Sequence, residues 1–550
     1  MFNKDIMTSL AMLSAQGDRK FLRLPATNSE FTCAEIFDMS ARIAKRLNER
    51  SCTPYTILLV MDNSVEVICT VIAALAMRIS IVQVPAVGDI GEKIQLSCAL
   101  LPQNASSVVA GSDQYFTKVG TSFEYLNITE IIKSEQKIEG FLDRESYSNY
   151  RFMTQLSSGT TGHPKGITID SDQLSHNLID IVERMKLNSS SVIVSWLPLY
   201  HDMGLMSLML ALFSGAPIHL LTPYSFVRNP IIWLKEITQY GGTHAGVPNF
   251  ALRILSKMRE KAALAEIDLK SLEYLLIGSD MAYVDSLDAF ENKYSSLGLS
   301  ALAVKPSYGL AENVVAVSLL GADERRTFLK VNHRNLFSGA RIQLDEDGAK
   351  LSCAGRPLSN THVSVWHEGL KCEDGVIGDI CIHGRSTTRE IIEVNGATNF
   401  DLDEPLHTGD VGFLWNGRLY LVGRKKSLIK TMGRSFYPEV IESKLKHEHP
   451  EYESIAIMQL PNYASGADEV IAILESKSVQ RHLATENHLS ADVVSSVLNV
   501  KRNVLVSHEM QITKMLVSKL AMPKTSSGKV ARQKVAADLI ANPERYFQVC

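Results

Sequence analysis

The sequence predicts an α/β protein. A large N-terminal domain of α/β subdomains ends in a β-rich subdomain, and a small C-terminal α+β domain follows. Three observations predict this. Short β-rich runs alternate with stretches of helical periodicity through the N-terminal half, the signature of a parallel sheet with helical crossovers. Beyond about residue 340 the texture changes to short strands and turns. After a basic segment, GRKKSLIK at 423–430, helix and strand patterns resume in a shorter unit. A chain of 550 residues is too long for one core, so division into domains is required. The boundary is set at 1–423 and 424–550.

Residues 31–50 place Ile36, Ala41, Ile43, Ala44 and Leu47 on one helical face. YTILLVM at 55–61 is a buried-strand pattern, a helix runs through Ala76, and a second strand follows at 79–84. Further strands are expected at 192–196, 243–247, 274–277 and 301–304, each near a helix-like stretch. In the β-rich part, strands are expected at 339–344, 363–366, 378–383, 412–415 and 418–422. In the last unit Pro438 suits the first turn of a helix running toward Leu445. Strands at 454–460 and 469–475 and a helix at 491–501 complete it.

Charged residues at 21% and hydrophobic residues at 45% are ordinary for a soluble globular protein. A formal net charge of −4 leaves no domain-scale basic excess, so nucleic acid is not expected as a partner. The cysteines (Cys33, Cys52, Cys69, Cys98, Cys353, Cys372, Cys381 and Cys550) stand singly, without CxxC pairs or zinc-ligand spacing. That fits free thiols in a reducing compartment. The N-terminus lacks the sustained apolar run of a secretory signal. Residues 65–77 are apolar but short and stopped by Arg78, and 204–221 are broken by Gly215 and Pro217. Neither is expected to span a membrane, and a cytoplasmic protein is expected.

LSSGTTGHPKG at 156–166 looks like a phosphate cradle. A Walker A loop needs G-x-x-x-x-G-K-[ST] between a strand and a helix. Counting from Gly159, the second glycine position holds Pro164, and Lys165 is followed by Gly166 rather than Ser or Thr. The flanks 150–156 and 166–169 both suit strands. The next helix starts near Ser171 or Asp172, with Leu174, Leu178, Ile181, Val182 and Met185 on one face. A loop joining two strands is not the anion site of a helix N-terminus, so the Walker reading falls. Glycine backbone N–H groups, four hydroxyls and Lys165 still favour an oxyanion. A plain surface turn has the same composition, and on composition alone the two readings stand level.

The loop closely resembles the phosphate loop of the adenylate-forming superfamily, which includes acyl-CoA synthetases, peptide-synthetase adenylation domains and luciferases. Four further motifs follow in that family's order. By this resemblance Ser157, Ser158, Gly159, Thr160, Thr161 and Gly162 would bind the nucleotide of ATP, with Thr160 also at the metal and Lys165 in catalysis. WLPLYHDMGLM at 196–206 is most like the fatty acyl-AMP ligases and would put His201 beside the acyl pocket and the reacting carboxylate. SYGLAE at 307–312 resembles the adenine and metal motif, made of Ser307, Tyr308, Gly309, Leu310 and Glu312. Tyr308 would stack on adenine, and Glu312 is a hard oxygen ligand suited to Mg²⁺ on the ATP phosphates. In HTGDVGFLWNGRLYLVGRKKSLIKTMG at 407–433, Asp410 would accept from both ribose hydroxyls. Arg424 would reach ribose or phosphate there, and Lys426 would be the hinge of a mobile C-terminal domain. PKTSSGKVAR at 523–532 resembles the catalytic-lysine motif, in which Lys529 would bind the acyl carboxylate and α-phosphate.

The implied reaction converts a fatty acid and ATP to acyl-AMP and pyrophosphate, with later transfer to the phosphopantetheine thiol of an acyl carrier protein. YHDMGLM points to that branch, and so does the interval 321–350 before CAGRPL. CoA ligases are generally shorter there, and in the acyl-AMP ligases an insertion restrains the small domain. The chain departs from the pattern at GSDMA (278–282), where a Gly-Ala-Glu-Pro-like adenine segment is usual, and at Met77 and Arg78, where small residues are expected. Two other readings compete. One is an acyl-CoA synthetase that completes the thioester with CoA. The other is a nucleotide-binding homologue without catalysis, against which the intact set Lys165, Glu312, Asp410, Arg424 and Lys529 stands.

Overall fold

The computed structural model describes residues 5–49, 55–101, 106–119, 123–134, 136–142, 149–157, 165–258, 264–279, 281–393, 396–431, 434–462, 467–486, 488–508, 510–525 and 530–550. Two large sheets form the body. One holds eight strands, among them the parallel set Tyr55–Met61, Ser80–Pro85 and Ser106–Gly111. It continues through β1 (Arg151–Ser157) into the antiparallel β2 (Lys165–Asp170) and the strand Glu390–Glu393. The alternation inside YTILLVM divides its side chains between two faces, as strand geometry requires. Ile57, Leu59 and Met61 enter the central core, while Leu58 and Val60 join a separate cluster with Ile90 and Ile94 of the helix Ile90–Ala99.

The second sheet has seven strands. Its parallel run is β3 (Ile193–Ser195), β4 (His244–Pro248), β5 (Tyr274–Gly278) and β6 (Val304–Pro306), in the spatial order β6-β5-β4-β3. One continuous core joins the two sheets and takes in the helix Val65–Met77, α1 (Ser171–Met185) and α2 (Asp202–Ser214). At the start of α1 the Asp170 N–H donates to Gln173 Oε1 at 2.7 Å. Helix α2 stops at Gly215, whose φ of +75° is the left-handed end that glycine supplies at least cost. Among the described residues no helix is long and apolar enough to cross a membrane.

A five-stranded antiparallel sheet follows, built from Thr361–His367, Gly378–Gly384, β7 (Leu406–Trp415), β8 (Arg418–Arg424) and the short Leu370–Lys371. Residues 339–344, expected as a strand, make only isolated bridges, Arg341 to Val376 and Leu344 to Val331. Gly339 turns the chain at φ +89°. The segment then divides its bonds between two neighbours, with the Ile342 N–H to Gly375 O (2.9 Å) and the Gln343 carbonyl to Asn332 N–H (2.9 Å), so no ladder develops. The strand expected at 301–304 starts instead at Val304, because the Ala303 N–H closes a turn on Ser300 O at 2.9 Å.

Most of the remaining buried residues pack in cores of their own, while Tyr437 joins the core of the five-stranded sheet. Helix α3 (Pro438–Glu448) has Pro438 in its first turn, and α4 (Ala491–His508) runs seven residues past its expected end. Strands Ser454–Asn462, Ala467–Glu475, Lys514–Ser518 and Tyr546–Gln548 form a four-stranded sheet. The helix Arg532–Ala541 packs Val535 in the second of those cores. Arg532 donates to Glu439 Oε1 (3.1 Å) and Glu442 Oε2 (2.7 Å) on α3.

Candidate active site

Strands β3, β5 and β6 run parallel, so their C-terminal ends lie along one edge, where open α/β sheets bind ligands. Three of the sequence motifs leave from those ends: residues 196–206 after β3, 278–282 after β5 and 307–312 after β6. Asp410 on β7 faces Arg424 on β8 in antiparallel register. Arg424 Nε lies 3.1 Å from Asp410 Oδ1, and the Tyr308 hydroxyl donates to Asp410 Oδ2 at 2.8 Å. The third sheet is thereby tied to the loop after β6. Burial, with Asp410 next, pushes the Tyr308 hydroxyl well above its ordinary range, so it stays protonated and donates.

The 307–312 loop is tightly constrained. A Cβ on Gly309 would lie 1.8 Å from Val315 O, so only glycine fits. Val314 has φ +63° and ψ −65°, and the Val315 N–H reaches Asn313 O at 2.7 Å. This is a γ-turn of the rare hand, on a β-branched residue that disfavours positive φ. Buried Asn313 holds the turn. Its Nδ2 donates to Ala316 O (2.6 Å) and Thr361 Oγ1 (2.9 Å), and its Oδ1 accepts from Thr387 Oγ1 (2.9 Å). Lys305 on β6, with no exposed surface, donates to the carbonyls of Gly321 (2.7 Å), Ala322 (2.8 Å) and Glu324, and burial lowers its pKa to about 8.

Glu312 sits in the one-turn helix Ala311–Asn313. Burial raises its pKa first, and the charges of Asp410 and Asp202 add to the rise against Arg424. A buried carboxylate whose pKa is raised is relieved by a hard divalent cation, so Glu312 fits the part of a Mg²⁺ ligand.

His201 occupies the N-cap position of α2. Burial lowers its pKa, with Asp202 opposing, so the ring is neutral near pH 7. Among the described residues its buried Nε2 has no hydrogen-bond partner. The preceding chain is held by Asn63. Its Nδ2 donates to Leu197 O (3.0 Å) and Leu221 O (2.7 Å), and its Oδ1 accepts from the Leu199 N–H (3.0 Å). A Cβ on Gly204 would come 2.0 Å from Pro198 O, which explains the glycine in the HDMG run.

The phosphate-loop candidates divide. Ser157 and Lys165 end β1 and open β2 as paired residues of the hairpin, the strand-to-strand setting read from the sequence. Lys165 makes an ion pair with Glu393. Ser158, Gly159, Thr160, Thr161, Gly162 and Lys529 lie outside the described residues. Lys426 lies in the short turn Lys425–Ser427 directly after β8, with Lys425 paired to Asp379. Asn63, Asn313 and Lys305 were not legible in the sequence as site residues. Asn63 follows a strand more than a hundred residues of sequence from its partners, and the other two only flank a motif.

An apolar cavity opens between the loops at Gly278, Ser279 and 307–309, and passes beneath β4 and β5 against α1 and α2. Its far end is closed by Met185, Leu187, Ile193 and His244, all buried.

Residues 124–391 match the AMP-binding enzyme family. The chain is 27% identical over 467 residues to a medium-chain-fatty-acid–[acyl-carrier-protein] ligase, TtuA, of Teredinibacter turnerae, covering 80% of this chain and 71% of that protein. It is 27% identical over 428 residues to the long-chain-fatty-acid–AMP ligase FadD32 of Mycolicibacterium smegmatis, covering 70% of this chain and 68% of that one. A solved structure from work on fatty acyl-adenylate ligases of E. coli and L. pneumophila superposes with a TM-score of 0.79 at 21% identity, covering 98% of each chain. The fold is shared with that structure.

Proposed function

We propose that this chain, whose residues 124–391 match the AMP-binding enzyme family, joins a fatty acid to ATP as an acyl-adenylate, releasing pyrophosphate. The acyl group then passes to the phosphopantetheine thiol of an acyl carrier protein. The observation that carries this reading is the blind apolar cavity whose mouth meets the 307–312 loop at the C-terminal edge of the sheet. An alkyl chain fits such a lining, and its carboxylate would emerge beside His201 and the nucleotide motifs.

A carboxylate oxygen of the acid attacks the α-phosphorus, and the bond to the pyrophosphate oxygen breaks. Both reactants are anions, so fixed positive charge and orientation are the main requirements. Lys165 and the hydroxyl loop would follow the departing pyrophosphate, and Lys529 would bridge the acyl carboxylate and the α-phosphate. An ionised carboxylate has about four acceptor sites, so Asp410 keeps capacity for ribose hydroxyls beyond its bonds to Tyr308 and Arg424. Mg²⁺, held by Glu312 and Thr160, would supply charge neutralisation on the triphosphate. Residues 1–423 and 424–550 are the two moving parts, with the hinge at Lys426. Use of ATP and the unpaired thiols of the described cysteines fit a cytoplasmic enzyme.

Fatty-acid-dependent pyrophosphate exchange, with hydroxylamine trapping of the acyl-adenylate, tests the first half. Loading of a holo carrier protein against loading of CoA tests the second. Efficient CoA loading would replace the carrier-protein step with an acyl-CoA synthetase, and exchange at background with every carboxylic acid would leave a nucleotide-binding homologue.

A further inference from the structure

The register of the sheet gives the cavity a length. Pro248 of β4 pairs with Gly278 of β5 at the mouth, and His244 pairs with Tyr274 at the closed end. Four residues of strand separate the two levels, about 13 Å at about 3.3 Å per residue. Helix α2 gives an independent measure. Met203 lines the mouth and Leu210 the deep end, and seven helical residues rise about 10 Å.

The closed end is rigid. His244 Nε2 donates to Met185 O at 3.2 Å, and Nδ1 lies 2.8 Å from Thr243 Oγ1. Both ring nitrogens are engaged, and the ring stacks 6.1 Å from Tyr274 at 6°. An occupant therefore meets a fixed carbon surface there, backed by residues of the central core.

We propose that His244 is the chain-length stop of this pocket and that the enzyme selects medium-chain acids. The inference rests on the adenylation reading above. An extended alkyl chain advances about 1.25 Å per carbon, so a span of about 10–13 Å between strand and helix measures takes about eight to ten carbons. Gly246, midway along β4, sets the width. Its Cβ would meet only Met203 Cε at 3.5 Å and Leu197 Cδ1 at 3.8 Å, ordinary contacts, so a larger side chain is accommodated and enters the cavity.

Pyrophosphate exchange over straight-chain acids of about four to eighteen carbons reads this directly. The expected optimum lies at about eight to ten carbons, with at least a tenfold fall by sixteen, a difference of about 1.4 kcal/mol or more. His244→Ala should move the optimum up by about two carbons or more. Because that change also strips partners from buried groups, Gly246→Val serves as the second variant and should move the optimum down to about six. An optimum at about sixteen carbons, or one unmoved by Gly246→Val, overturns the length stop while leaving adenylation standing. No exchange with any acid overturns both.

Discussion

Gly309 illustrates how little latitude single residues have in the 307–312 loop. A methyl group there would occupy the space of the Val315 carbonyl, and the strained Val314 turn is what brings that carbonyl so close. Strain of this kind costs on the order of 1–3 kcal/mol and persists only where surroundings fix it, here the three bonds of Asn313. At the other end of the protein, His508 carries a different kind of cost. It is 6% exposed, and among the described residues its Nε2 has no hydrogen-bond partner. Burial first, then the charges of Lys444 and His333, lowers its pKa from 6.5 to about 3. Below pH 6.5 the unfolded chain takes up a proton there that the folded chain refuses. Stability is therefore full above that pH and declines as pH falls toward 3, by at most about 1.4 kcal/mol per pH unit for one such group. His201 and His244 act in the same direction. Urea midpoints at pH 7, 6 and 5 should fall steadily in the native protein and less steeply in His508→Gln. Equal slopes would remove His508 from the account.

At the scale of elements, legibility followed the length of the pattern. Tyr55–Met61 was readable because a continuous apolar run bounded by polar residues has few other uses. The β1–β2 hairpin was readable because the Walker pattern failed at Pro164 and Gly166, and with it the helix that should follow. Residues 339–344 misled because alternation also occurs in a chain that bonds to two neighbours in turn. Asn63 was invisible because a loop asparagine after a strand reads as a turn, and its partners are more than a hundred residues away. Asn63→Ala would leave the Leu197 and Leu221 carbonyls and the Leu199 N–H unpaired in a buried setting. The expected loss is about 1–3 kcal/mol of stability, together with a rise in KM for the acid that exceeds any rise for ATP. Equal changes for both substrates would mean that Asn63 supports the body rather than the 196–206 loop.

At the scale of the whole molecule, the change of pattern after the basic segment at 423–430 led to the expectation of a small C-terminal unit, and residues beyond it do form core clusters of their own. The seam between that unit and the body was not legible, because it is made of surfaces without a shared pattern. A cavity of about 220 Å³ lies at that seam, between Ser443, Lys444 and His447 of α3 and residues 347–352. The latter belong to the hairpin of Phe328–Val331 and Ala349–Ser352, and Lys350 is anchored to Asp285 at 2.6 Å. Replacing 332–348 by a short Gly-Ser linker should raise CoA-dependent turnover while exchange continues, as release of a restraint on the small domain requires. Retained exchange with no gain in CoA use would count against the restraint.

The buried ionic grip of Arg532 on Glu439 and Glu442 bears on how the proposed hinge transmits force. On the near side of the lysine motif, Lys524 bridges to Val530 and pairs with Glu475 at 3.2 Å. On the far side, Arg532 is fixed to α3. One flank of the lysine motif is thus tied to the strand Ala467–Glu475 and the other to α3. If the C-terminal unit turns at the proposed hinge, both anchors of the lysine segment turn with it as one piece, and a small angular error at the pivot is magnified by their distance from it.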